Sequence, residues 1–350
     1  MPKRLALIGD HVCDWLSYGD TPIGTHDVRI ATEYASGKYG TWAALMDAST
    51  FGGERFDIDR RMFVASESDA SPATVSREKP ISFGTSTVGV VSEIGSGVKS
   101  VRVGERVFAI NADIRETNTM NAAYVHALGD LSPTLALCAE PAYVSFHCVR
   151  ESNVRFGETV LVVGLGALGL IAVAMAHESG AERVIAVDMS SGRRRMAESL
   201  GADISFDPRE GDTAARVHDI LGGTGVDVAI ELSGASAGLA TAIRSCRVGG
   251  TVCAAGFYRT DAHGVFLGRE FHHNRLTMIV PHGCGFGHPP RDIPRWDERR
   301  AVAAILSMMR QGKLNVGGIV DPVVGTAEAL DMFRRMRDEP DAIVKFAVKF

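Results

Sequence analysis

The stretch Thr159-Val-Leu-Val-Val163, followed by Gly164-Leu-Gly-Ala-Leu-Gly169, decides the fold of this chain. A short β-branched run of this kind is typical of a strand that is buried on both faces. From Leu168 onward the apolar residues recur at helical spacing. A second apolar run, 183–187, then leads to Asp188. The pattern therefore predicts a strand, a glycine turn, a helix and a second strand that ends in a carboxylate.

The glycine turn predicts a dinucleotide site, because each glycine has a physical role there. Gly164 permits the tight turn, Gly166 lets the backbone approach a pyrophosphate, and Gly169 lets the helix and the strand pack closely. The helix begins near Ala167 and Leu168, whose region offers free N–H groups to an anion. We therefore expect the pyrophosphate of a nucleotide cofactor at this turn.

Asp188 predicts which cofactor is bound. It lies about 20 residues past the last glycine, where a carboxylate accepts hydrogen bonds from the adenosine ribose. Such a carboxylate repels a 2′-phosphate and so favours NAD. Arg193, the first of three consecutive arginines, would partly reverse this preference if it reached the adenosine end. We predict NAD, with NADP as the alternative, and include Met189 beside Asp188 in the cofactor site.

Composition describes a globular protein of about two domains. Its 350 residues are 45% hydrophobic, which suffices for two cores. The net charge of −5 and the lack of a dense basic block argue against nucleic-acid binding. No apolar run approaches the roughly 18 residues of a membrane span, and the N-terminus does not resemble a signal peptide, so we expect a cytoplasmic protein. The six cysteines lack metal-binding spacing and are predicted to be free thiols.

The order of strand-like and helical segments predicts an α/β fold. Residues 139–284 alternate strands and helices, which indicates a doubly wound parallel sheet of six strands. Residues 1–138 are rich in strand-like runs and predict a mostly β domain. Residues 285–350 return to mixed structure, so we expect a nucleotide domain inserted within a β-rich domain.

Several segments resemble the medium-chain dehydrogenase/reductase superfamily, which includes zinc alcohol and sorbitol dehydrogenases. The run 88–107 resembles the hairpin of that family's catalytic domain, and Glu140-Pro141 with His147 resembles the start of its coenzyme domain. The resemblance covers most of the chain. It implies an NAD(P)-dependent oxidoreductase that forms a homodimer and has its active site in a cleft between two domains. The implied domains are a GroES-like catalytic domain from 1–138 and 285–350 and a Rossmann domain from 139–284.

The segments that would carry the family's zinc ligands depart from its pattern. Tyr39 stands where a cysteine ligand would be, and Gly84-Thr85-Ser86 replaces the Gly-His-Glu motif that supplies a histidine. Of the three usual ligands only Glu140 remains, and a catalytic zinc needs three protein ligands. We therefore predict that no metal is bound. The run 36–41 is similar to a zinc-free branch related to bacteriochlorophyllide dehydrogenases and sugar-type oxidoreductases.

Without zinc, side chains must stabilise the charge that develops on a carbonyl oxygen when it receives hydride. The resemblance places Tyr39 and Thr41 at the metal-ligand and proton-relay positions. Lys38 would lower the pKa of Tyr39 if the two head groups converged, and Glu140 is a candidate acid or base. His147 is a candidate neighbour of the nicotinamide. Each has a structural alternative: Tyr39 fills the space left by zinc, Glu140 is a relic, and His147 only forms hydrogen bonds.

The leading hypothesis is a zinc-independent NAD(P)-dependent oxidoreductase that interconverts an alcohol and a ketone on a small polyhydroxylated, sugar-like or natural-product substrate. One alternative is a reductase of an activated C=C, quinone or imine bond. Another is a catalytically inactive, nucleotide-binding regulatory protein. The glycine-rich run 281–290 is predicted to form a lid over the substrate. Pairing of sheet edges near 276–280 is expected to form the homodimer.

Overall fold

A computed structural model divides the chain into two compact units, Met1–Glu140 with Val320–Phe350 and Pro141–Ile319. The sequence suggested a second boundary after residue 284. In the structure this boundary follows Ile319, because the helix Glu298–Arg310, which buries its apolar face, belongs to the second unit. The described residues are 1–9, 12–38, 40, 54–65, 75–281, 295–339 and 341–350.

The order of the secondary-structure elements follows the prediction, with strands at both chain ends and alternating strands and helices between them. Each described helix is too short or too polar to cross a lipid bilayer. The strands are β1 Lys3–Gly9, β2 Val12–Ser17, β3 Asp27–Ser36, β4 Glu54–Asp57, β5 Met62–Ala65, β6 Ile81–Ser82, β7 Ser86–Ile94, β8 Arg106–Ile110, β9 Thr117–Asn121, β10 Val125–Ala127, β11 Thr159–Val163, β12 Arg183–Val187, β13 Ile204–Phe206, β14 Val226–Glu231, β15 Cys246–Ala254, β16 Thr277–Ile279, β17 Val320–Gly325 and β18 Lys345–Lys349. The α-helices are α1 Pro133–Leu137, α2 Ala139–Glu151, α3 Ala167–Glu178, α4 Ser191–Ser199, α5 Thr213–Ile220, α6 Ser236–Ser245, α7 Glu298–Arg310 and α8 Ala329–Asp338, with short 3₁₀ or π segments at Ala122–Tyr124, Pro208–Glu210, Leu267–Phe271 and Gly317–Ile319.

The first unit is built around a mainly antiparallel sheet that joins the two ends of the chain. Its strand order is β10-β8-β7-β3-β18-β17, and β9 also pairs with β3. Strand β3 therefore lies between β7 and the C-terminal β18. Near its end, Ser36 pairs with Ser86 on β7 and with Ala347 on β18. This register places the segment that follows β3, which begins with Gly37 and Lys38, beside both neighbouring strands.

The second unit contains a parallel sheet with the strand order β13-β12-β11-β14-β15-β16. The predicted doubly wound sheet of six strands is confirmed, as is the α/β fold class. Strand β11 lies at the centre, and the chain order reverses between β11 and β14. Ligands of such sheets bind at the carboxyl ends of the strands near this reversal. Strand β16 forms one edge of the sheet.

The apolar pattern over 101–110 predicts one continuous strand, but the structure has a strand only in its second half, since β8 begins at Arg106. The preceding residues form a turn in which Gly104 has a φ of +85°. Apolar residues on both sides of that glycine produced the continuous strand-like pattern.

Helix α3 approaches strand β11 closely because Gly169 has no side chain. A Cβ atom at Gly169 would overlap the carbonyl oxygen of Gly164. Gly164 itself has a φ of +88°, which favours glycine, and its N–H donates to the carbonyl of Val187 at 2.8 Å. The glycine turn is therefore held between the central strand and the adjacent β12.

We expect Gly169→Ala to lower the free energy of unfolding of the second unit by about 3 kcal/mol, because the new methyl group forces helix α3 away from the turn. Gly166→Ala is the matched control. A Cβ atom at Gly166 meets no atom within 4 Å, so we expect a loss below about 1 kcal/mol, typical of changes at a helix N-cap. Urea denaturation followed by circular dichroism measures both. Equal losses in the two variants would contradict this account of Gly169.

Candidate functional site

The N-terminus of helix α3 has the features of an anion site. Gly166 is the N-cap of the helix and makes no side-chain cap, so Ala167 and Leu168 form an uncapped first turn. The absence of atoms within 4 Å of a Cβ at Gly166 shows that the space beside it is open. Backbone N–H groups at such a terminus bind phosphate oxygens. These residues therefore fit the pyrophosphate of a dinucleotide.

Asp188 follows β12 and is anchored against the glycine turn. Its Oδ2 accepts the N–H of Leu165 at 2.7 Å, and its Oδ1 accepts the N–H of Ser190 at 2.8 Å. Each carboxylate oxygen has a second lone pair for another donor. The half-buried side chain is thus oriented by the backbone and can still accept the hydroxyl groups of a ribose.

Two arginines support the backbone after β12. Arg194 donates to the carbonyls of Asp188 and Met189, at 2.6 and 2.9 Å, and to Asp207 at 3.1 Å. Arg209 binds the carbonyl of Met189 and the carboxylate of Asp207. Hydrogen bonds from Arg209, supported by the charge of Arg194, hold the pKa of Asp207 well below its usual range. The guanidinium groups of Arg194 and Arg209 are therefore engaged by protein groups.

The other predicted residues at this end, Met189 and Arg193, differ in exposure. Met189 is largely exposed. Arg193 lies in the first turn of α4, and its backbone N–H is directed at Ser190 Oγ at 3.5 Å. Arg194 is an arginine that binds the backbone at Asp188 and Met189. Sequence spacing alone did not separate the three consecutive arginines.

Glu231 is a second carboxylate at this edge of the sheet, and the sequence analysis missed it. It ends strand β14, is fully buried and accepts a hydrogen bond from the hydroxyl of Tyr258. A signal was present, because Glu231 ends an apolar strand as Asp188 follows another. Its partner Tyr258 lies 27 residues further along the chain, so no local pattern connects the two.

A lysine–glutamate cluster in the first unit contains Lys38, Glu140, Lys345 and Cys138. Lys38 Nζ lies 2.6 Å from Glu140 Oε1, with side chains 19% and 7% exposed. Lys345, at the start of β18, is buried and donates from Nζ to the carbonyl of Gly37 at 2.9 Å. Lys38 thus contacts Glu140, whereas the sequence suggested a role toward Tyr39.

The charges of this cluster follow from its burial. Burial lowers the pKa of Lys345 to about 8, although the nearby carboxylate of Glu140 favours its protonated form. The charge of Lys38 lowers the same pKa further. Burial raises the pKa of the Cys138 thiol to about 12, so this thiol is neutral at pH 7. With both amines protonated, the cluster carries two positive charges and one carboxylate.

Several buried polar atoms lie in the segments that correspond to the family's zinc-ligand segments. Within the described part of the chain, Oε2 of Glu140 and the hydroxyl groups of Thr85 and Ser86 have no hydrogen-bond partner. An unpaired buried polar group costs about 1–3 kcal/mol. A hydrogen bond with a polar partner would therefore stabilise each of these atoms.

The described side chains around Glu140 bear on whether a metal ion could bind there. Among the described residues no group of three or more His, Cys, Asp or Glu side chains could hold a metal ion. Oε1 of Glu140 is occupied by the ammonium of Lys38, and Lys345 adds a second positive charge to the cluster. A divalent cation requires anionic or neutral donors.

Of the remaining predicted catalytic residues, only His147 is among the described residues, and it belongs to the second unit. His147 is buried on helix α2, with Nδ1 3.3 Å from Glu151 Oε1 and its ring edge-on to Tyr143 at 4.8 Å. Neither ring nitrogen of His147 has a hydrogen-bond partner among the described residues, so its role stays a prediction. Tyr39, Thr41 and most of the predicted lid, 281–290, lie outside the described residues.

Comparison with known proteins identifies the family. A family model described as zinc-binding dehydrogenase matches residues 167–299. The chain is 32% identical to a D-guloside 3-dehydrogenase of Escherichia coli (strain K12) over 354 aligned residues. The alignment covers 99% of this chain and 100% of that protein. The chain belongs to the medium-chain dehydrogenase/reductase superfamily. Membership confirms the predicted family, an NAD(P)-dependent oxidoreductase activity and a nicotinamide cofactor.

Solved structures of this superfamily share the fold. The 2R,3R-butanediol dehydrogenase of Bacillus subtilis matches with a TM-score of 0.78 over 100% of both chains, at 21% identity. A putative zinc-binding dehydrogenase of Sinorhizobium meliloti 1021, bound to NADP, matches with a TM-score of 0.77 over 100% of this chain and 99% of that chain, also at 21% identity. The family-model match begins at residue 167, so it does not include the residues of the lysine–glutamate cluster.

Lys345 should give the stability of this superfamily member a specific pH dependence. Its folded-state pKa of about 8 lies below the ordinary value of 10.5, so the unfolded chain binds more protons between these pH values. The free energy of unfolding should therefore rise with pH from 8 to 10.5, by up to about 3 kcal/mol from this residue. Lys345→Met should lack this contribution in urea denaturation at pH 7.5 and 10. Lys349→Met, at the exposed end of β18, should retain it, and a wild-type slope in Lys345→Met would refute the assignment.

Proposed function

We propose that this protein is a zinc-independent, NAD-dependent dehydrogenase that interconverts a secondary alcohol and a ketone on a glycoside or a related polyhydroxylated compound. The observation that carries the proposal is the Lys38–Glu140 ion pair, at 2.6 Å, with the buried Lys345 in the same cluster. The ammonium group of Lys38 thus contacts Glu140, and Lys38 precedes Tyr39; both Tyr39 and Glu140 occupy positions where the family pattern has zinc ligands.

The proposed chemistry assigns the substrate oxygen to Lys38. Bound NAD supplies the hydride acceptor, and the protein must manage the proton and the charge on oxygen. In ketone reduction the protonated Nζ of Lys38 donates a hydrogen bond and then its proton to that oxygen; in alcohol oxidation the neutral amine accepts the hydroxyl proton. A fixed ammonium group stabilises the alkoxide character of the oxygen during hydride transfer. Tyr39 and Thr41 stay predictions as further donors.

The position of Glu140 supports a polyhydroxylated substrate. Oε1 holds Lys38, while the buried Oε2 has no hydrogen-bond partner among the described residues. A second substrate hydroxyl that donates to Oε2 would satisfy this atom. The relative named D-guloside 3-dehydrogenase supports a glycoside in particular. A simple alcohol with one hydroxyl group would leave Oε2 unpaired.

The environment of Asp188 supports NAD over NADP. The carboxylate is oriented by two backbone N–H groups, and a 2′-phosphate would meet its negative charge. Arg194 and Arg209 are engaged by Asp207 and by backbone carbonyls. Both guanidinium groups are therefore already hydrogen-bonded within the protein. We also propose a homodimer, which the edge position of β16 supports.

The carbonyl chemistry is tested by NAD⁺ reduction with a panel of glycosides, polyols and simple secondary alcohols. We expect turnover with a glycoside or polyol. Lys38→Met should lower kcat by about 100-fold or more, because the group that exchanges the proton is lost, while the affinity for NADH stays unchanged. Lys99→Met, an exposed lysine of the same unit, is the control. An unchanged kcat in Lys38→Met would exclude Lys38 from the chemistry.

Independence from zinc is tested by metal analysis of the purified protein. We expect less than about 0.1 zinc per chain, because three suitable ligands are needed to hold it. Activity should survive dialysis against a chelator and should not rise when zinc is restored. One zinc per chain, together with loss of activity on chelation, would overturn the proposed mechanism.

A further inference from the structure

Glu231 is buried at the carboxyl end of β14 and accepts hydrogen bonds from two different loops. Its Oε1 accepts the N–H of Ser233 at 2.7 Å and also the hydroxyl of Ser233. Its Oε2 accepts the hydroxyl of Tyr258 and, at 3.4 Å, the N–H of Gly234. The side chain is fully buried. Both oxygens are thus committed to fixing the backbone after β14 and the loop after β15.

Two glycines lie directly against this carboxylate. A Cβ atom on Gly238 would lie 2.7 Å from Oε1 of Glu231, and a Cβ atom on Gly256 would lie 2.6 Å from Oε2. Side chains at these two positions would displace the carboxylate. The sequence around β14 and β15 therefore accommodates Glu231 specifically.

The loop that Glu231 holds lies directly against the glycine turn. A Cβ atom on Gly164 would be 2.6 Å from the backbone nitrogen of Ser233. The N–H of Leu232 donates to the carbonyl of Val163 at 2.8 Å. Any shift of the Glu231 loop would therefore reach the residues that precede helix α3.

Asp188 and Glu231 support the turn from opposite sides. Strands β12 and β14 flank β11 in the sheet. Asp188 accepts the N–H of Leu165 from one side, while Glu231 fixes Ser233 against Gly164 from the other. A dinucleotide binds across this reversal of strand order, with one mononucleotide on each half of the sheet. Because Asp188 serves the adenosine half, the loops held by Glu231 border the other half.

We propose that Glu231 and Tyr258 are positioning residues for the nicotinamide half of the dinucleotide, acting through the backbone of Ser233 and Gly256. The inference rests on the NAD cofactor of the proposed function. Burial and the adjacent Glu231 raise the pKa of Tyr258. Its hydroxyl therefore keeps its proton and remains a donor to the carboxylate.

Asp227 provides the matched control, because it is a carboxylate at the opposite end of the same strand. Its Oδ2 accepts the N–H of Thr159 at 2.7 Å, and its Oδ1 accepts Arg247 Nε at 2.6 Å. Like Glu231, it accepts hydrogen bonds from both backbone and side-chain donors. It lies, however, at the amino end of β14, away from the edge where ligands of such sheets bind.

The test compares NADH with AMP, which lacks the nicotinamide half, by isothermal titration calorimetry. Tyr258→Phe removes one hydroxyl and keeps the ring. We expect it to weaken NADH binding by about tenfold, as for the loss of a hydrogen bond to a charged group, and to change AMP binding less than about twofold. Glu231→Gln should show the same pattern. Asp227→Asn should leave both affinities unchanged, and Asp188→Ala should weaken both ligands.

The outcomes separate this inference from the proposed function. Unchanged NADH binding in Tyr258→Phe, or an equal loss for NADH and AMP, would overturn the positioning role. A parallel loss in Asp227→Asn would also overturn it, because the effect would then be general to the strand. NADH binding without turnover on any substrate would defeat only the proposed reaction. A wild-type protein that does not bind NADH would overturn both.

Discussion

The close approach of helix α3 to strand β11 is the constraint on which the second unit depends. It requires Gly169 to lack a side chain and Gly164 to adopt a positive φ. With those conditions met, the uncapped N-terminus of the helix borders open space at the carboxyl edge of the sheet. The same conditions place backbone N–H groups where an anion can be bound without any basic side chain.

Two carboxylates maintain this geometry, and both do so through backbone N–H groups. Asp188 holds Leu165 and retains acceptor capacity for the proposed contact with the ribose. Glu231 is fully committed to protein donors and is buried. Asp188 is half-buried whereas Glu231 is fully buried and bonded through both oxygens, so of these two carboxylates we propose a direct ligand contact for Asp188 alone.

The first unit contains buried charged side chains, and their burial lowers the stability of the fold. Lys345 is buried among Glu140, Cys138 and Lys38, and its pKa is lowered accordingly. Burying an ammonium group reduces stability unless the group is paired and hydrogen-bonded. The Gly37 carbonyl and the Glu140 carboxylate offset part of this cost. Retention of such a cluster agrees with a task beyond folding.

The sequence by itself determined the nucleotide-binding half, because its determinants are local. A strand, a glycine turn, a helix and a second strand follow one another within residues 159–188, and their periodicities are readable without knowledge of the fold. The same spacing identified Asp188. The departures at Tyr39 and Thr85 from the family's zinc-ligand pattern were also visible in the sequence, but they could not reveal the contact between Lys38 and Glu140.

Only the tertiary structure decided the contacts of the charged residues. Lys345 reaches Gly37 across 308 residues, and Tyr258 reaches Glu231 across 27. The antiparallel pairing of β18 with β3 creates the first contact. The parallel neighbours β14 and β15 create the second. Pairing between strands brings together residues whose separation along the chain carries no periodic signal, so a local pattern cannot predict which charges meet.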